Sequence, residues 1–264
     1  MALTGQDVYV AISDGSAVEV GLLTSFKMGE KSNTLSRKGL AGWVKNRLTS
    51  YEYYASVQGD ITTYEMANAL NEPTSEFDVT VNDMAISDAV VESFKLECEE
   101  GDTLKFTADF IGKTITTAAV AQTSQSDPGD VFILADAATL TLANDARTFT
   151  TSAAVTKFSI DGKRTITPVY GNQLSPTDFS KGTWEHTATI TLTPEDSLEM
   201  IAAVAETGNE NGTFTAQFEN SSGTKVYITA GGMVADEASF TADPDNAVEV
   251  PINFKIATLT ISGS

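Results

Sequence analysis

The chain has 264 residues, 41% of them hydrophobic, and its 36 acidic and 16 basic residues give a formal net charge of −20 at pH 7. This charge excludes a conventional DNA-binding domain, because such a surface repels phosphate backbones. The single cysteine, Cys98, excludes a disulfide within the chain and a zinc site built from thiolates. No run of about 18 apolar residues occurs, and the N-terminus lacks the basic and apolar regions of a signal peptide. We therefore expect a protein that folds in a cytosol and has no membrane partner.

The first predicted elements form a hairpin followed by a long loop. Residues 8–12 are a short apolar strand, the Asp-Gly pair at residues 14–15 favours a tight turn, and residues 18–23 return. Between residues 30 and 51 the alternation of polar and apolar residues lapses, which predicts a loop. This loop carries the only basic cluster of the sequence, and its candidate contact residues are Arg37, Lys38, Leu40, Trp43, Lys45 and Arg47.

A helix and a run of strands complete the first half. Residues 62–70 are predicted as a short helix, with a threonine cap before a mixed apolar run. Residues 77–111 then alternate with a period of two, which predicts a meander of antiparallel strands. Cys98 falls in this meander, and we interpret it as a small, partly buried strand residue.

The second half contains a similar order of elements after a linker at residues 121–130, which is rich in residues that break regular structure. An opening strand at residues 131–134 precedes a loop at residues 170–180, whose candidate contact residues are Tyr170, Leu174 and Phe179. Residues 193–205 predict a helix with a threonine cap and proline at the first helical position. Residues 214–259 form a second predicted meander.

An approximate alignment relates the two halves. Phe26 corresponds to Phe158 at an offset of 132 residues, and Ala55 corresponds to Ala188 at an offset of 133. The last strand of each half agrees at an offset of 144, with extra residues near residues 221–224, where a hairpin lengthens at low cost. Internal duplication is one explanation, and chance resemblance between two all-β sequences is the other.

The sequence contains no pattern that points to catalysis, a cofactor or a metal. The only histidine, His186, lies in a predicted strand beside Trp184 and has no nucleophile motif, so we interpret it as structural. Carboxylate clusters occur, for example at residues 97–102 and 236–245, and oxygen ligands of this kind are suited to Ca²⁺. Because the clusters fall on predicted turns without the spacing of a calcium loop, solvated turns are the alternative that we favour.

The basic loop has two possible partners. Its lysines and arginines surround Trp43, a combination that suits contact with nucleic acid. The rest of the chain is acidic, so docking of the loop onto a neighbouring copy is the simpler interpretation.

The order of elements resembles that of the tail-tube, or major tail, proteins of tailed bacteriophages and archaeal tailed viruses, in their two-domain form. The resemblance rests on the opening hairpin at residues 8–26, the strand at residues 54–61, the short helix, and the closing strands at residues 90–96 and 106–113. It implies a mainly β fold of two tandem tail-tube-like domains, each a β-sandwich or half-barrel with a short flanking α-helix. The domains would be residues 1–120 and 131–264, joined by the linker at residues 121–130.

The resemblance also implies a function without enzymatic activity. Three copies would form a ring with pseudo-six-fold symmetry, and stacked rings would form a tube that conducts viral DNA. The two long loops would then contact a neighbouring subunit or the next ring. Further partners would be the tape-measure, tail terminator and baseplate proteins, the location would be the virion after assembly in the host cytoplasm, and a lumen lined with carboxylates would let DNA slide.

Two other classes of protein also have features in common with this sequence. A decoration or adhesive virion protein of immunoglobulin-like domains would account for the strands, the linker and the acidity, but not for a helix before each meander. A carbohydrate-active enzyme would require a carboxylate pair in a cleft and more aromatic residues than the 8% present here.

Overall fold

A computed structural model describes residues 10–13, 18–19, 22–38, 44–72, 76–81, 84–117, 130–143, 148–151, 155–193, 212–238 and 250–264. As predicted, these residues are mainly β, with one short α-helix. The elements of the first half are β1 Val10–Ser13, β2 Val18–Glu19, β3 Leu22–Lys38, β4 Val44–Asp60, α1 Tyr64–Asn71, β5 Phe77–Val81, β6 Met84–Glu99, β7 Lys105–Gly112 and β8 Thr114–Thr117. Those of the second half are β9 Ile133–Ala143, β10 Thr148–Thr151, β11 Val155–Lys163, β12 Ile166–Val169, β13 Asp178–Lys181, β14 Glu185–Leu192, β15 Gly212–Glu219, β16 Lys225–Ala238, β17 Val250–Ile256 and β18 Thr258–Gly263.

A central run of antiparallel strands crosses the middle of the chain without interruption. Its order is β3-β4-β7-β6-β11-β14-β17-β16. The first four strands come from the first half of the sequence and the last four from the second half, and β6 and β11 join them. The two halves therefore share one hydrogen-bonded sheet.

The same order of pairing occurs on both sides of this join. Phe26 of β3 lies across from Val57 of β4, and Phe158 of β11 lies across from Ile190 of β14. These pairs are related by the offsets of 132 and 133 residues that the sequence alignment gives. Strands β7 and β17 continue the pattern at the offset of 144, because Phe110 pairs with Ala55 and Phe254 pairs with Ala188.

Two long strands, β6 and β16, each belong both to the central sheet and to a group of flanking strands. The first part of β6 pairs with β5 and β8, and its second part pairs with β7 and β11. Strand β16 does the same with β15 and β18 and then with β17. A register shift interrupts both strands, at Glu92 in β6 and at Asp236 in β16, and such β-bulges bend a strand and increase its twist. Each long strand thus passes from the central sheet into a flanking one.

The predicted first helix is present and is capped as expected. Thr63 is the N-cap of α1, and its hydroxyl accepts a hydrogen bond from the backbone amide of Met66 at 3.3 Å. The apolar side of α1 is buried, and its last residue, Asn71, donates from Nδ2 to the carbonyl of Leu259 in β18 at 3.1 Å. The first half therefore places its helix on the last strand of the second half. The predicted linker, apart from its last residue, and the predicted second helix, apart from its capping threonine, lie outside the described residues.

The larger of two hydrophobic clusters among the described residues extends through both halves, because the apolar face of the central sheet packs against the flanking strands and α1. Its fully buried large side chains include Phe106, Phe110, Phe132, Phe158, Phe214, Phe218 and Phe254. Among the described residues, no helix has the length and apolarity to span a membrane.

Candidate assembly surfaces

The second face of the central sheet is polar and open. Alternation along the strands turns Phe94, Leu96 and Cys98 of β6 toward the core and the residues between them toward the other face. Side chains on this face hydrogen-bond to one another, as Ser93 Oγ does to Asp109 Oδ2 at 2.7 Å. Similar bonds join Ser159 with Asp161 at 3.0 Å and Thr189 with Asn253 at 2.8 Å. Polar side chains of this face therefore hydrogen-bond to one another within the chain.

Four lysines on and beside this polar face have carboxylate partners. Lys105 forms a salt bridge with Asp102 at 2.5 Å, Lys157 with Glu99 at 3.8 Å, and Lys255 with Asp236 at 3.3 Å. Lys95 is likewise paired with Glu97. Hydrogen bonds from Lys105 and from the amide of Thr103 lower the pKa of Asp102, which keeps this carboxylate charged. Three carboxylates of the predicted cluster at residues 97–102 thus form salt bridges with lysines. The described residues contain no group of three side chains that could hold a metal ion.

The predicted basic loop is a two-stranded ribbon over much of its length. Strand β3 continues to Lys38 and β4 starts at Val44, so the prediction of a loop over this whole stretch was wrong. The ribbon lacks the alternation of apolar residues that is typical of strands. Hydrogen bonds between polar side chains join its two strands instead. Asn33 Nδ2 donates to Glu52 Oε1 at 2.7 Å, and Ser36 Oγ donates to Asn46 Oδ1 at 2.6 Å.

The candidate contact residues of the first half lie on or beyond this ribbon. Arg37 pairs with Lys45 through the backbone, and Lys38 and Arg47 have exposed side chains. The structure does not describe the side chains of Arg37 and Lys45, and Leu40 and Trp43 lie outside the described residues. The backbone therefore places the four basic residues close together on the outer part of the ribbon.

The candidate contact residues of the second half meet the first half of the same chain. The hydroxyl of Tyr170 donates to the carbonyl of Tyr51 at 3.1 Å, and the amide of Tyr51 donates to the carbonyl of Leu174 at 2.8 Å. Phe179 of β13 is buried against Val90. The β12–β13 hairpin and its loop thus pack over β4 and β6 of the first half, and contact with another copy stays a prediction.

His186 has a structural environment in the folded chain. Its Nε2 donates to Oδ1 of Asn71, the last residue of α1, at 2.9 Å, and its ring stacks on Trp184 at a centroid distance of 5.9 Å. Burial lowers the pKa of His186, which favours the neutral ring. These contacts fix β14 of the second half against the helix of the first half.

Sequence reasoning missed the two ends of the central run. Strand β3 pairs only with β4 in the described residues, and Glu237 and Ala238 of β16 pair only with β17. Phe26 and Met28 of β3 remain partly exposed beside the core, and Val234 of β16 is 41% exposed. The alignment of the two halves identifies β3 and β16 as the counterparts of β11 and β6, but it identifies them as edges only once the β6–β11 pairing is known.

Comparison with known proteins gave one family. The family model described as phage tail tube protein matches residues 7–258. No curated protein matched the chain.

Proposed function

This chain belongs to the phage tail tube protein family, and we propose that three copies form a ring of pseudo-six-fold symmetry and that stacked rings form the tube of the tail. A tail tube protein is a structural component of the virion and not a member of an enzyme family. The observation that carries the ring proposal is the repeated order of pairing in the central sheet. Three chains would supply six equivalent four-stranded units.

The proposed units are tail-tube-like domains formed by residues 1–120 and 131–264. Register offsets that stay constant along each strand support this division, because paired residues of the first half reappear as paired residues of the second half. The shared core and the β6–β11 pairing mean that the two domains would act as one rigid building block.

The polar face of the central sheet is the proposed wall of the channel for viral DNA. A wall that binds DNA does so through free lysines and arginines, which neutralise phosphates and release the counterions condensed on the DNA. On this face Lys95, Lys105, Lys157 and Lys255 already have carboxylate partners, so they offer little to a passing phosphate backbone. The net charge of −20 adds a general repulsion, which favours sliding over binding.

The ribbon formed by the outer parts of β3 and β4 is the proposed contact with a neighbouring subunit or ring. Its exposed cations, together with Leu40 and Trp43 of the connecting segment, would meet an acidic surface of another copy. Tyr170, Leu174 and Phe179 would hold the corresponding hairpin of the second half in place. Tape-measure, terminator and baseplate proteins are the proposed further partners, and the host cytoplasm is the proposed place of assembly.

Negative-stain electron microscopy of the purified chain tests this function. Samples over a range of protein and salt concentrations, with and without a preformed tail end as initiator, should show hollow tubes or rings with three-fold or pseudo-six-fold end views. Isolated two-lobed particles under every condition would contradict the proposal and favour an adhesive module.

A further inference from the structure

We propose that the join between β6 and β11 inside the chain is the template for the join between subunits, so that β16 of one copy pairs with β3 of the next in the same register. This inference rests on the proposed ring and identifies the strands and residues that close it. Lys31 of one copy would lie across from Glu237 of the other, and Glu30 across from Ala238.

The register follows from the pairs observed inside the chain. Lys163 of β11 lies across from Ser93 of β6, and Gly162 lies across from Phe94. The offset of 132 residues leads from Lys163 to Lys31. The offset of 144 leads from Ser93 to Glu237, and it holds across the bulges, since Ser93 pairs with Asp109 and Glu237 pairs with Asn253.

Burial differs between β11 and its first-half counterpart β3 in the way that a missing neighbouring strand would produce. Phe158 and Ile160 of β11 are 2% and 0% exposed, because β6 lies beside them. Their counterparts Phe26 and Met28 on β3 are only partly buried, because that side of β3 has no strand in the described structure. A strand added to this edge would supply backbone hydrogen bonds and bury both side chains.

A second, independent difference in burial occurs on β16, at the other edge of the central run. Val90 of β6 is fully buried beneath Ile166 and Phe179 of the β12–β13 hairpin. Its counterpart Val234 of β16 is 41% exposed. The ribbon is the first-half counterpart of that hairpin and carries Leu35, which is 45% exposed, so the ribbon of the next subunit is the element that would cover Val234.

The residues at the proposed join are complementary in size and charge. Inside the chain, the glycine at position 162 makes room for the ring of Phe94 across the join. At the proposed join the large residue is on the other strand, because Glu30 stands across from Ala238. Lys31, which already forms a salt bridge with Glu52 at 3.3 Å, would gain Glu237 on its other side, and opposite charges directly across a sheet are stabilising.

Paired cysteines test the register. In a Cys98→Ala background, we would make Lys31→Cys with Glu237→Cys and, separately, Glu30→Cys with Ala238→Cys. Directly opposed positions alternate between wide and narrow spacing in antiparallel sheets, so at least one pair suits a disulfide. After oxidation of assembled protein, non-reducing gels should show covalent dimers and closed trimers that reducing agent removes.

Matched controls fix the meaning of each result. Lys27→Cys with Glu237→Cys shifts the register by four residues, about 13 Å along a strand, and should give no cross-link. Ser93→Cys with Lys163→Cys should give a disulfide within one chain and no covalent oligomer. Microscopy of the reduced samples shows whether each variant still assembles.

Two outcomes would overturn the inference. Rings or tubes that form without a cross-link at either proposed pair, or that cross-link only at the shifted pair, would reject this register and leave the tube function standing. Absence of both cross-links and rings for the unmodified chain and its variants would reject the tube function as well.

Discussion

At the scale of single residues, Cys98 reports on the join between the two halves. The thiol is buried on β6, and Phe158 of β11 lies directly across from it. Burial, with a smaller effect of the nearby Asp102 carboxylate, raises the pKa of Cys98 to about 11. The thiolate, which is the reactive form, is therefore scarce in the folded protein at neutral pH.

Alkylation of Cys98 should accordingly be slow until the join opens. At pH 8, iodoacetamide followed by mass spectrometry should show little labelling of the folded chain and rapid labelling in denaturant. A Cys98→Ala, Thr116→Cys variant is the control, since Thr116 is exposed and its replacement should react quickly in the folded state. Equal rates for Cys98 in folded and unfolded protein would contradict the buried position.

His186 gives the folded protein a defined dependence on pH. Its pKa is lowered from the ordinary value of 6.5 by burial, so protons bind more readily to the unfolded chain than to the folded one. Its contribution to stability is therefore present above about pH 6.5 and is lost as the pH falls through and below that value. The contribution of His186 to the free energy of unfolding should decrease from pH 7.5 to pH 5.5.

Replacement of the imidazole by a side chain that does not titrate isolates this effect. His186→Gln retains a donor that can reach Asn71 and should show a smaller decrease over the same range, measured by urea titration at each pH. Burial also raises the pKa of Glu92, whose titration is common to both proteins and cancels in the comparison. Parallel pH profiles for the two proteins would contradict the role of His186.

At the scale of elements, the close approach of β6 and β11 depends on Gly162. A Cβ at this position would lie 2.2 Å from the ring of Phe94, so a larger residue forces the strands or the ring to move. We expect Gly162→Ala to destabilise the protein by about 1–3 kcal/mol, as overpacking of a core does. Phe94→Ala alone should cost about 3–5 kcal/mol, because Phe94 is buried.

A variant with both Gly162→Ala and Phe94→Ala shows whether the two losses of stability arise from the contact between these residues. Without the Phe94 ring, the added methyl group has space, so the combined loss should be smaller than the two single losses together. Denaturant unfolding of the four proteins gives this coupling. Additivity within about 0.5 kcal/mol would mean that Gly162 and Phe94 do not oppose each other.

Local signals predicted some elements well. The Thr63 cap and the apolar run after it placed α1 correctly, because capping and helical periodicity depend on neighbouring residues. The ribbon was predicted as a loop because its strands are held by polar pairs such as Ser36 with Asn46, which leave no apolar alternation. The join of β6 with β11 was also missed, since many amphipathic strands have patterns compatible with such pairing and only the tertiary fold selects one.

At the scale of the whole molecule, the distribution of charge predicts how assembly fails. Reversal of Arg37, Lys38, Lys45 and Arg47 to glutamate would place repulsive charge on the ribbon of a chain that is already at −20. Tube growth, followed by light scattering and microscopy, should stop, while the thermal unfolding midpoint changes little, because these residues lie away from the core.

A variant with glutamine at the same four positions separates lost attraction from added repulsion. It should assemble more weakly than the unmodified chain but better than the glutamate variant, and added salt should reduce the difference between the two variants. Normal tubes from the glutamate variant would contradict a contact through the ribbon.

The β6–β11 join affects how strongly assembly depends on protein concentration. In the proposed ring, two separately encoded domains would have to find each other at every junction, whereas with this chain every second junction would be the intramolecular β6–β11 pairing, which does not depend on concentration. A ring of three chains would then contain three junctions between separate chains in place of six, which would make the first ring easier to form and harder to lose. On this proposal, half of the junctions of the ring exist within the chains before any two copies have met.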